Sequence, residues 1–431
     1  MLAIECPKRS ADKSQKSSKT YSYYAGYSLS FAERLIQHAP LDENAIVFDP
    51  WNGSGTTTLA ASLHNIESKG SDLNPVMVVV AKARMLRAAT SLSINPIWTK
   101  IKAVARKNSG LKSQCTDPLT DWFSDNGVTS LRVIENAIKS HLVPDSSTLL
   151  LSPALISNFS DIAAFFYVSL FRVTGTFLKP FKTSNPTWLR RPKEGTEKLD
   201  LNLEKLIKLL DEDIRCEIEA RKEDWIKTVF TTANSELMVG SSEAVALEDN
   251  SVDLVLTSPP YCTRLDYAVA TAAELAILGF HRKIGFAALR ESLMGTTTVP
   301  CFAPDMQSSW GKTCTQLLRK IAEHNSVASK SYYLKNHLAY FSSLQKSISE
   351  ISRVLKSDGI ASFVVQDSVY KDIHNDLPLI VLEMSEAVGL TNFQRDDFRS
   401  GISISNINTK SRFYQLSGFR PTESVVSFYK T

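Results

Sequence analysis

A short apolar run that ends in Asp-Pro and leads into a glycine turn constrains the fold more than any other feature. Residues 44–50, NAIVFDP, predict a buried strand. WNGSGTTTLAASLHN, which follows, predicts a tight turn and a helix with Leu59 and Leu63 on one face. ESKGSDLNP (67–75) predicts a second strand that ends at Asp72, and VMVVVAKARMLRAA predicts a second helix. This alternation is typical of a doubly wound α/β sheet.

The alternation stops between residues 84 and 230, where helical and proline-punctuated segments follow one another. TEKLDLNLEKLIKLLDEDIRCEIEARKEDWIKTVF predicts one long amphipathic helix in this region. A connection of this length is not a loop. We therefore expect a large inserted, mainly helical subdomain over 84–230.

Strands and helices resume after residue 231. SELMVGSSEA (235–244), SVDLVLTSPPY (251–261), IASFVVQDS (360–368) and ESVVSFYKT (423–431) predict strands. DYAVATAAELAILGF, YLKNHLAYFSSLQKSISEISRVLKSDG and PLIVLEMSEAVG predict helices, the second of them closed by Gly359, and 281–330 is predicted to be irregular. The sequence thus predicts one α/β domain over 21–83 and 231–431 with a mostly parallel sheet of six or seven strands. Residues 1–20 predict a mobile basic arm.

The composition argues against several classes of protein. The six cysteines form no CxxC pair and the seven histidines form no HxxxH pair, so we expect no zinc or other metal. No apolar run of about 18 residues is present, so a membrane-spanning helix is not expected. The polar, lysine-rich start does not resemble a secretory signal. We expect a cytoplasmic location with free thiols.

Residues 172–193, within the region that we expect to be inserted, are basic, although the net charge of the whole chain is only +4. This stretch contains no acidic residue, and Phe177, Phe181 and Trp188 are interleaved with the basic side chains. This pattern is typical of a surface that grips phosphates. It is equally compatible with a solvated face whose aromatic side chains point to the core. The basic residues are Arg172, Lys179, Lys182, Arg190, Arg191 and Lys193.

The turn FDPWNGSGTTT is compared with three kinds of nucleotide-binding turn. A GxxxxGK[ST] phosphate loop is disfavoured because no lysine follows Gly55, and a GxGxxG fingerprint is disfavoured because only GxG is present. The third possibility is a ligand with an amino-acid end and a nucleoside end. Asp49 would then face an ammonium group, and Asp72, 23 residues later, would accept hydrogen bonds from ribose hydroxyls. Asp72 is also compatible with a helix cap before LNPVMVVVA.

The stretch TSPPY (257–261) ends an apolar strand with two prolines and an aromatic residue. Such a turn suits methyl transfer from a sulfonium to an exocyclic amine, because the Ser258 side chain and the Pro259 carbonyl can accept hydrogen bonds from that amine. The stiff Pro259-Pro260 segment holds the acceptors, and Tyr261 offers a face on which a flipped-out base can stack. The alternative is a plain proline turn with a core tyrosine. It is disfavoured because DPWNGSGTT opens on the same crevice of the sheet.

Together these motifs resemble those of the S-adenosylmethionine-dependent amino-methyltransferases of DNA. DPWNGSGTT is similar to their cofactor motif Asp-Pro-Phe-x-Gly-Ser-Gly-Thr-Thr, with Trp51 in place of the usual Phe. TSPPY is similar to their catalytic motif [Ser/Asn/Asp]-Pro-Pro-[Tyr/Phe/Trp], in which serine is typical of cytosine-N4 enzymes and Asp or Asn is more usual for adenine-N6. The resemblance covers about 20–84 and 235–280, and more loosely 335–431. It implies a Rossmann-like class I methyltransferase fold with a seven-stranded sheet.

The resemblance also implies which residues form each part of the site. Ser241 stands where the family often has an acidic residue, and Asp266 is expected to brace the pocket rather than touch the substrate. The implied cofactor residues are Tyr24, Ala25, Gly26, Tyr27, Asp49, Pro50, Gly53, Ser54, Gly55, Thr56, Thr57, Asp72, Asn74, Ser241 and Ser242. The implied catalytic residues are Ser258, Pro259, Pro260 and Tyr261. DNA contacts are assigned to the six basic residues of 172–193, together with Arg264 and Thr263 beside the extruded nucleotide.

The function that follows is sequence-specific methylation of double-stranded DNA at cytosine N4, with S-adenosylmethionine as cofactor. We expect 84–230 to recognise the target and 281–330 to form a second DNA-contacting insertion. A restriction–modification or epigenetic role implies a nucleoid-associated protein of prokaryotic type, with a cognate restriction endonuclease as a possible partner. The alternatives are adenine-N6 methylation, an RNA base or protein-glutamine methyltransferase, and a non-catalytic nucleic-acid-binding relative.

Overall fold

The computed structural model describes residues 4–8, 21, 26–110, 116–144, 150–183, 188–193, 198–228, 233–262, 265–281, 285–299, 303–399 and 419–430. The described strands are β1 (Ile46–Asp49), β2 (Glu67–Asp72), β3 (Ser235–Val239), β4 (Val252–Thr257), β5 (Leu355–Gln366), β6 (Ser368–Tyr370), β7 (Ile373–Asn375), β8 (Leu390–Arg399) and β9 (Thr422–Lys430). The described helices are α1 (Leu29–His38), α2 (Thr56–Leu63), α3 (Pro75–Arg84), α4 (Ala88–Ser91), α5 (Ile94–Lys107), α6 (Asp125–Leu142), α7 (Pro153–Ser157), α8 (Asp161–Phe177), α9 (Leu203–Thr228), α10 (Tyr267–Ala270), α11 (Ala272–Ile277), α12 (Phe286–Ser292), α13 (Gly311–Glu323), α14 (Leu334–Val354) and α15 (Leu377–Glu386).

Seven strands form one sheet in the order β3-β2-β1-β4-β5-β9-β8. The pairs from β3 to β5 are parallel, and β9 is antiparallel to both β5 and β8. The reversal of strand order between β1 and β4 opens a crevice at the carboxyl ends of these strands. The predicted α/β class, with a mostly parallel seven-stranded Rossmann-like sheet, is confirmed.

Successive residues of the central strands bury side chains on opposite faces of the sheet. Val47 of β1 packs in a cluster with helices α1 and α2, whereas Phe48 packs in a cluster with α13, α14 and α15. A strand that is covered on both faces must be apolar throughout, which explains the sequence IVF. Both faces of the sheet are therefore covered by helices.

Helices α4 to α9 lie between β2 and β3 in the chain, within the range predicted for the inserted subdomain. Helix α3 shares their hydrophobic core, and every residue from Val76 to Ala81 is buried. A run of four valines and a methionine is uncommon for a surface helix, which needs a polar face. It is explained here by helix α8, which packs along α3 on the side away from the sheet.

The prediction that Gly359 closes helix α14 is wrong, because the helix ends at Val354. Leu355 is fully buried and pairs with Val252 of β4, so the backbone becomes extended directly after the helix. The pairing is interrupted before Ile360, and Asp358 there adopts a left-handed φ of 63°. The stop signal at Gly359 thus marks an irregularity inside β5.

Other local predictions also need correction. Residues 281–330 are not wholly irregular, since they contain helices α12 and α13, and DYAVATAAELAILGF forms two short helices rather than one. Helix α13 buries side chains at the helical spacing i, i+3, i+4, i+7, which are Cys314, Leu317, Leu318 and Ile321. Strand β8 and the β6–β7 hairpin were not predicted. β8 is an edge strand with the polar sequence LTNFQRDDFR, so it carries little hydrophobic signal.

Within the described ranges, no helix has the length and apolar character needed to cross a membrane. Over the same residues, no group of three or more His, Cys, Asp or Glu side chains is placed to hold a metal ion. Residues 9–20 of the predicted arm lie outside the described residues.

Candidate active site

Asp49, the last residue of β1, lies at the centre of a buried network of hydroxyl groups. Its carboxylate accepts hydrogen bonds from Thr57 Oγ1 (2.7 Å), Thr257 Oγ1 (2.5 Å) and the backbone N–H of Trp51 (3.1 Å). The Tyr27 hydroxyl lies 3.5 Å from Asp49 Oδ2 and contacts Thr57 Oγ1. Burial raises the pKa of the Asp49 carboxyl to about 6, although these donors oppose the rise. The network fixes the end of β1 against the end of β4.

The glycine turn after β1 requires glycine at two positions. Gly53 has φ 47° and Gly55 has φ 78°, which lie in the left-handed region. A side chain on Gly55 would place its Cβ 2.8 Å from the Cβ of Ala81 in helix α3. Helix α2 begins directly after this turn. The close approach of α3 therefore explains the second glycine without reference to any ligand.

Arg84, at the end of α3, holds the same turn from outside the motif. Its Nη1 donates to the Ser54 carbonyl at 2.6 Å and lies 3.2 Å from Ser54 Oγ and 3.3 Å from Thr56 Oγ1. Arg84 was not predicted to support the site, because a lone arginine at the end of a helix forms no distinctive sequence pattern.

Asp72, the last residue of β2, joins the two strand ends. Its Oδ2 accepts from the Gly53 N–H (2.9 Å) and its Oδ1 accepts from the Asn74 N–H (2.8 Å). The cap of helix α3 is Asn74, whose Oδ1 accepts from the Val76 N–H at 3.1 Å, so the helix-cap interpretation of Asp72 is wrong. Burial raises the pKa of the Asp72 carboxyl to about 6. Each oxygen keeps a second lone pair for a further donor.

The turn after β4 is held by a tyrosine of helix α14. The Tyr340 hydroxyl on α14 donates to the Pro260 carbonyl at 2.7 Å. The Ser258 hydroxyl and the Pro259 carbonyl accept and donate no hydrogen bond among the described residues. Two polar groups of this turn are therefore left without a hydrogen-bond partner among the residues that the structure describes.

Asp266 braces the chain that follows the turn, as the sequence predicts. Its Oδ2 accepts from Arg290 Nε (2.6 Å) and Thr297 Oγ1 (2.8 Å), and its Oδ1 accepts from the Val269 N–H at the start of α10 (3.1 Å). These bonds join the segment after α12 to the segment that follows the turn after β4. Thr263 and Arg264 lie outside the described residues.

Both turns open into one cavity of about 440 Å³. All four predicted catalytic residues, Ser258 to Tyr261, line it. The predicted cofactor residues on its wall are Gly26, Tyr27, Asp49, Pro50, Gly53, Ser54, Thr56, Asp72, Asn74, Ser241 and Ser242. Gly55 and Thr57 do not line it and act on the shape of the turn instead, while Tyr24 and Ala25 lie outside the described residues.

The predicted basic surface divides into two groups. Arg172 forms ion pairs with Asp213 (2.7 Å) and Glu217 (3.3 Å), and Arg191 pairs with Asp121 (2.8 Å). The carboxylates that neutralise these two arginines come from distant parts of the chain, so they are not visible in the acid-free sequence of 172–193.

The remaining basic residues of 172–193 differ in position. Lys179 and Lys182 line the cavity beside Trp188, which is 41% exposed. Arg190 donates to the Pro180 carbonyl at 3.2 Å, and neither it nor Lys193 lines the cavity. Phe177 and Phe181 pack against the core. The aromatic side chains thus divide between the two interpretations that the sequence left open.

Two further groups on the cavity wall were missed. Glu274 of α11 accepts a hydrogen bond from the Tyr21 hydroxyl at 2.9 Å, and both side chains line the cavity. Burial raises the pKa of the Glu274 carboxyl, and the nearby charge of Lys182 opposes the rise. The sequence pattern that could have revealed Glu274 is a single charged residue in the otherwise uncharged stretch AVATAAELAILGF.

Helix α11 is also held from the inserted helices. The buried Arg132 donates to the carbonyls of Ala276 and Ile277, both at 2.7 Å, and forms an ion pair with Asp117 at 2.6 Å. An arginine that satisfies the last carbonyls of a helix fixes the position of that end. The inserted helices therefore form part of the rigid wall of the cavity.

No protein-family model matches the chain. It is 25% identical over 285 residues to the Type II methyltransferase M.BsoBI of Geobacillus stearothermophilus, covering 63% of this chain and 55% of that protein. It is 22% identical over 419 residues to the Type II methyltransferase M.AvaI of Nostoc sp., covering 88% and 80%, respectively. It is 24% identical over 368 residues to the Type II methyltransferase M.MvaI of Kocuria varians, covering 78% and 73%. The chain is thus related to Type II methyltransferases, and it spans about half the length of the first of them.

Among solved structures, the chain matches phosphoethanolamine N-methyltransferase 1 of Haemonchus contortus, in complex with phosphoethanolamine and S-adenosylhomocysteine. The identity is 11%, with 93% of this chain and 91% of that chain covered and a TM-score of 0.17. No conclusion follows from a superposition of this quality.

Proposed function

We propose that the protein transfers a methyl group from S-adenosylmethionine to the exocyclic N4 amine of a flipped cytosine in double-stranded DNA. The observation that carries this proposal is the single cavity between the ends of β1 and β4, on which the glycine turn and the turn Ser258–Tyr261 both open. Its relatives are Type II methyltransferases, which supports methyl transfer as the reaction and DNA as the substrate.

The residues at the β1 and β2 ends fit the proposed cofactor. S-adenosylmethionine supplies a methyl group on a positively charged sulfur. Asp49, which is buried, and Asp72, which is half-buried, line the cavity beside the glycine turn. With the cofactor bound, they would accept hydrogen bonds from its ammonium and ribose hydroxyl groups, respectively. The Ser242 hydroxyl contacts Ser347 Oγ at 2.9 Å, so the adjoining Ser241 is the better candidate for an adenine contact. The other proposed cofactor residues on the wall are Gly26, Tyr27, Pro50, Gly53, Ser54, Thr56 and Asn74.

The turn after β4 supports the proposed chemistry through its two unused acceptors. The lone pair of an exocyclic amine is conjugated with the ring and is poorly nucleophilic. Ser258 Oγ and the Pro259 carbonyl can hold the two N–H groups and pull the nitrogen toward a tetrahedral shape. Pro260 is excluded from this role because its carbonyl already accepts from Tyr340. Holding the reacting groups in line contributes several kcal/mol of barrier lowering.

Tyr261 is proposed to stack on the extruded base, a contact worth roughly 1–3 kcal/mol. A strong general base is not needed in this scheme, because the positive charge passes from sulfur to the methylated nitrogen, whose N–H is then acidic enough to lose its proton to water. Ser258 favours cytosine N4 over adenine N6 by its resemblance to the family motif, and adenine N6 is the second candidate. A partner endonuclease and a restriction–modification role remain predictions.

The DNA contacts are proposed at the cavity mouth. Lys179 and Lys182 lie on its wall with Trp188, whereas Arg172 and Arg191 are engaged by carboxylates and are weaker candidates. Arg190, Lys193 and Arg264 complete the predicted set. Residues 84–230 are proposed to recognise the target sequence.

The test is an assay with labelled S-adenosylmethionine and DNA, RNA or protein in parallel, followed by mass spectrometry of the modified unit. We expect label in DNA as N4-methylcytosine. Label only in RNA or protein would contradict the proposal, and N6-methyladenine would select the second candidate.

A pair of serine variants at opposite ends of β4 tests the assignment of the catalytic turn. Ser258→Ala removes one acceptor and should lower kcat by about a hundredfold, as is found when one positioned hydrogen-bonding group is lost. Ser251→Ala removes a hydroxyl that bonds the Glu248 carbonyl at the other end of the strand and should leave kcat unchanged. Equal activities of the two variants would remove Ser258 from the mechanism.

A further inference from the structure

A second basic surface lies beside the cavity, formed by the turn that leads into helix α14. From His324 to Ser349 the chain contains three lysines and no acidic residue. Lys330 is exposed and Lys335 is half-buried, and neither forms an ion pair with a carboxylate among the described residues. Arg172 and Arg191 differ in this respect, because both are neutralised. Lys330 and Lys335 are here called the rim lysines.

Hydrogen bonds connect the segment that carries the rim lysines to a segment of the cavity wall. The Tyr332 hydroxyl donates to the Thr297 carbonyl (2.9 Å), and Asn336 Nδ2 donates to the Thr296 carbonyl (2.8 Å). The segment that ends with these threonines begins with Ser292, Leu293 and Met294, which line the cavity. Farther along α14, Tyr340 donates to the Pro260 carbonyl of the turn after β4, which also lines the cavity. From these two connections we infer that the rim lysines lie near the entrance to the site.

The backbone around Lys330 is held rigidly in an unusual conformation. Residues Ser329–Tyr333 form a π-helical turn, which is rare and is frequently found at functional sites. Ala328, just before it, has φ 70°. Tyr370 anchors the turn, since its hydroxyl lies 2.7 Å from Ser329 Oγ and its ring centroid lies 4.9 Å from that of Tyr333. An exposed lysine on a fixed backbone presents its charge at a defined place.

We propose that Lys330 and Lys335 bind backbone phosphates of DNA next to the nucleotide that enters the cavity. The inference rests on the proposed function. A base that leaves the stack remains joined to its two flanking phosphates, so these phosphates must pass the mouth of the pocket. Unpaired ammonium groups at that mouth supply sequence-independent affinity and fix the orientation of the duplex.

The experiment compares two double variants that lose the same charge. Lys330→Gln/Lys335→Gln removes the rim lysines. The control, Arg399→Gln/Arg420→Gln, removes two exposed arginines at the end of β8 and before β9, neither of which lines the cavity. DNA affinity is measured at several salt concentrations. We expect the rim variant to lower the slope of log K against log salt by about 0.9 per lost contact, and to weaken binding to different DNA sequences alike. The arginine variant should keep the wild-type slope.

Binding of S-adenosylhomocysteine serves as the check on folding and should be the same in all three proteins. An unchanged slope in the rim variant would overturn the proposal, and so would an equal loss in the arginine variant, which would reflect net charge alone. Loss of methylation with unchanged DNA binding would overturn it as well, since it would assign the rim lysines to the chemistry. Failure of the wild-type protein to bind or methylate DNA would instead reject the proposed function.

Discussion

The turns after β1 and β4 stand on neighbouring parallel strands and face the same cavity, but their polar groups are used differently. After β1, the Asp49 carboxylate, the Gly53 N–H and the Ser54 carbonyl are all bonded within the protein. After β4, the Ser258 hydroxyl and the Pro259 carbonyl bond to no described residue. The first turn is therefore built as a rigid holder, and the second keeps groups for another molecule. Substitutions at the first turn should change stability and cofactor binding, and substitutions at the second turn should change activity alone.

After that of Ser258→Ala, the largest effect is expected at Tyr261 in the second turn. Tyr261→Ala removes the face on which a base can stack and should lower kcat/KM by roughly tenfold to a hundredfold, while Tyr261→Phe keeps the face and most of the activity. Steady-state kinetics with DNA measures this, together with the melting temperature. Equal losses in the two variants would show that the hydroxyl matters rather than the stacking surface.

A pH dependence of intermediate size is expected at the first turn. Burial raises the pKa of Asp49 and Asp72 to about 6, above the value near 3.9 expected in the unfolded chain. The contribution of these two carboxyl groups to the free energy of unfolding is therefore fully present below about pH 4 and is lost as pH rises through 6. The reason is that their ionisation costs more free energy in the folded state than in the unfolded chain. A ligand that donates hydrogen bonds to these carboxylates, or carries a positive charge, offsets this cost.

The measurement is the rise in melting temperature caused by S-adenosylhomocysteine, which should grow between pH 5 and pH 7. The Asp72→Asn variant should show a weaker growth, because one titrating group is gone. A ligand effect that is constant over this pH range would contradict the assignment of these carboxylates to the cofactor.

The smallest effect is expected for Thr57→Val, which removes one donor to Asp49 without exposing it. A buried acceptor that loses one of several donors destabilises the fold by about 1–2 kcal/mol. Denaturant unfolding should detect this loss, and Ser258→Ala should show none. If Ser258→Ala proved the more destabilising of the two, the proposed division between a holding turn and an open turn would be wrong.

Local patterns were sufficient to predict the crevice, because β1, α2, β2 and β4 each carry their own signal. The apolar run and the glycines of 46–55 fix a strand and a turn within a few residues, and the two prolines fix the second turn. These predictions need no knowledge of distant contacts. The helical start after Asp266 is also local, whereas the bracing bonds of Asp266 to Arg290 and Thr297 join distant parts of the chain.

Features that depend on distant pairing were not predictable in this way. Arg172 is neutralised by Asp213 and Glu217, some forty residues later, through a contact that no local window contains. Strand β8 is formed by a polar segment whose pairing with β9 supplies the hydrogen bonds that hold it. Helix α14 stops at Val354 because Leu355 pairs with β4, not because of a local stop signal. In each case tertiary contacts override the local preference.

The apolar helix α3 has a consequence for attempts to shorten or recombine this protein. Excising 88–228 to obtain a minimal catalytic core would remove helix α8 from α3 and uncover part of the apolar surface of residues 76–81, and an exposed apolar patch of this kind promotes self-association. Grafting a different recognition region between β2 and β3 would meet the same obstacle unless α3 were exchanged with it. The module that can be transplanted therefore begins at Asn74, inside the conventional catalytic half, rather than at the first residue of the insertion.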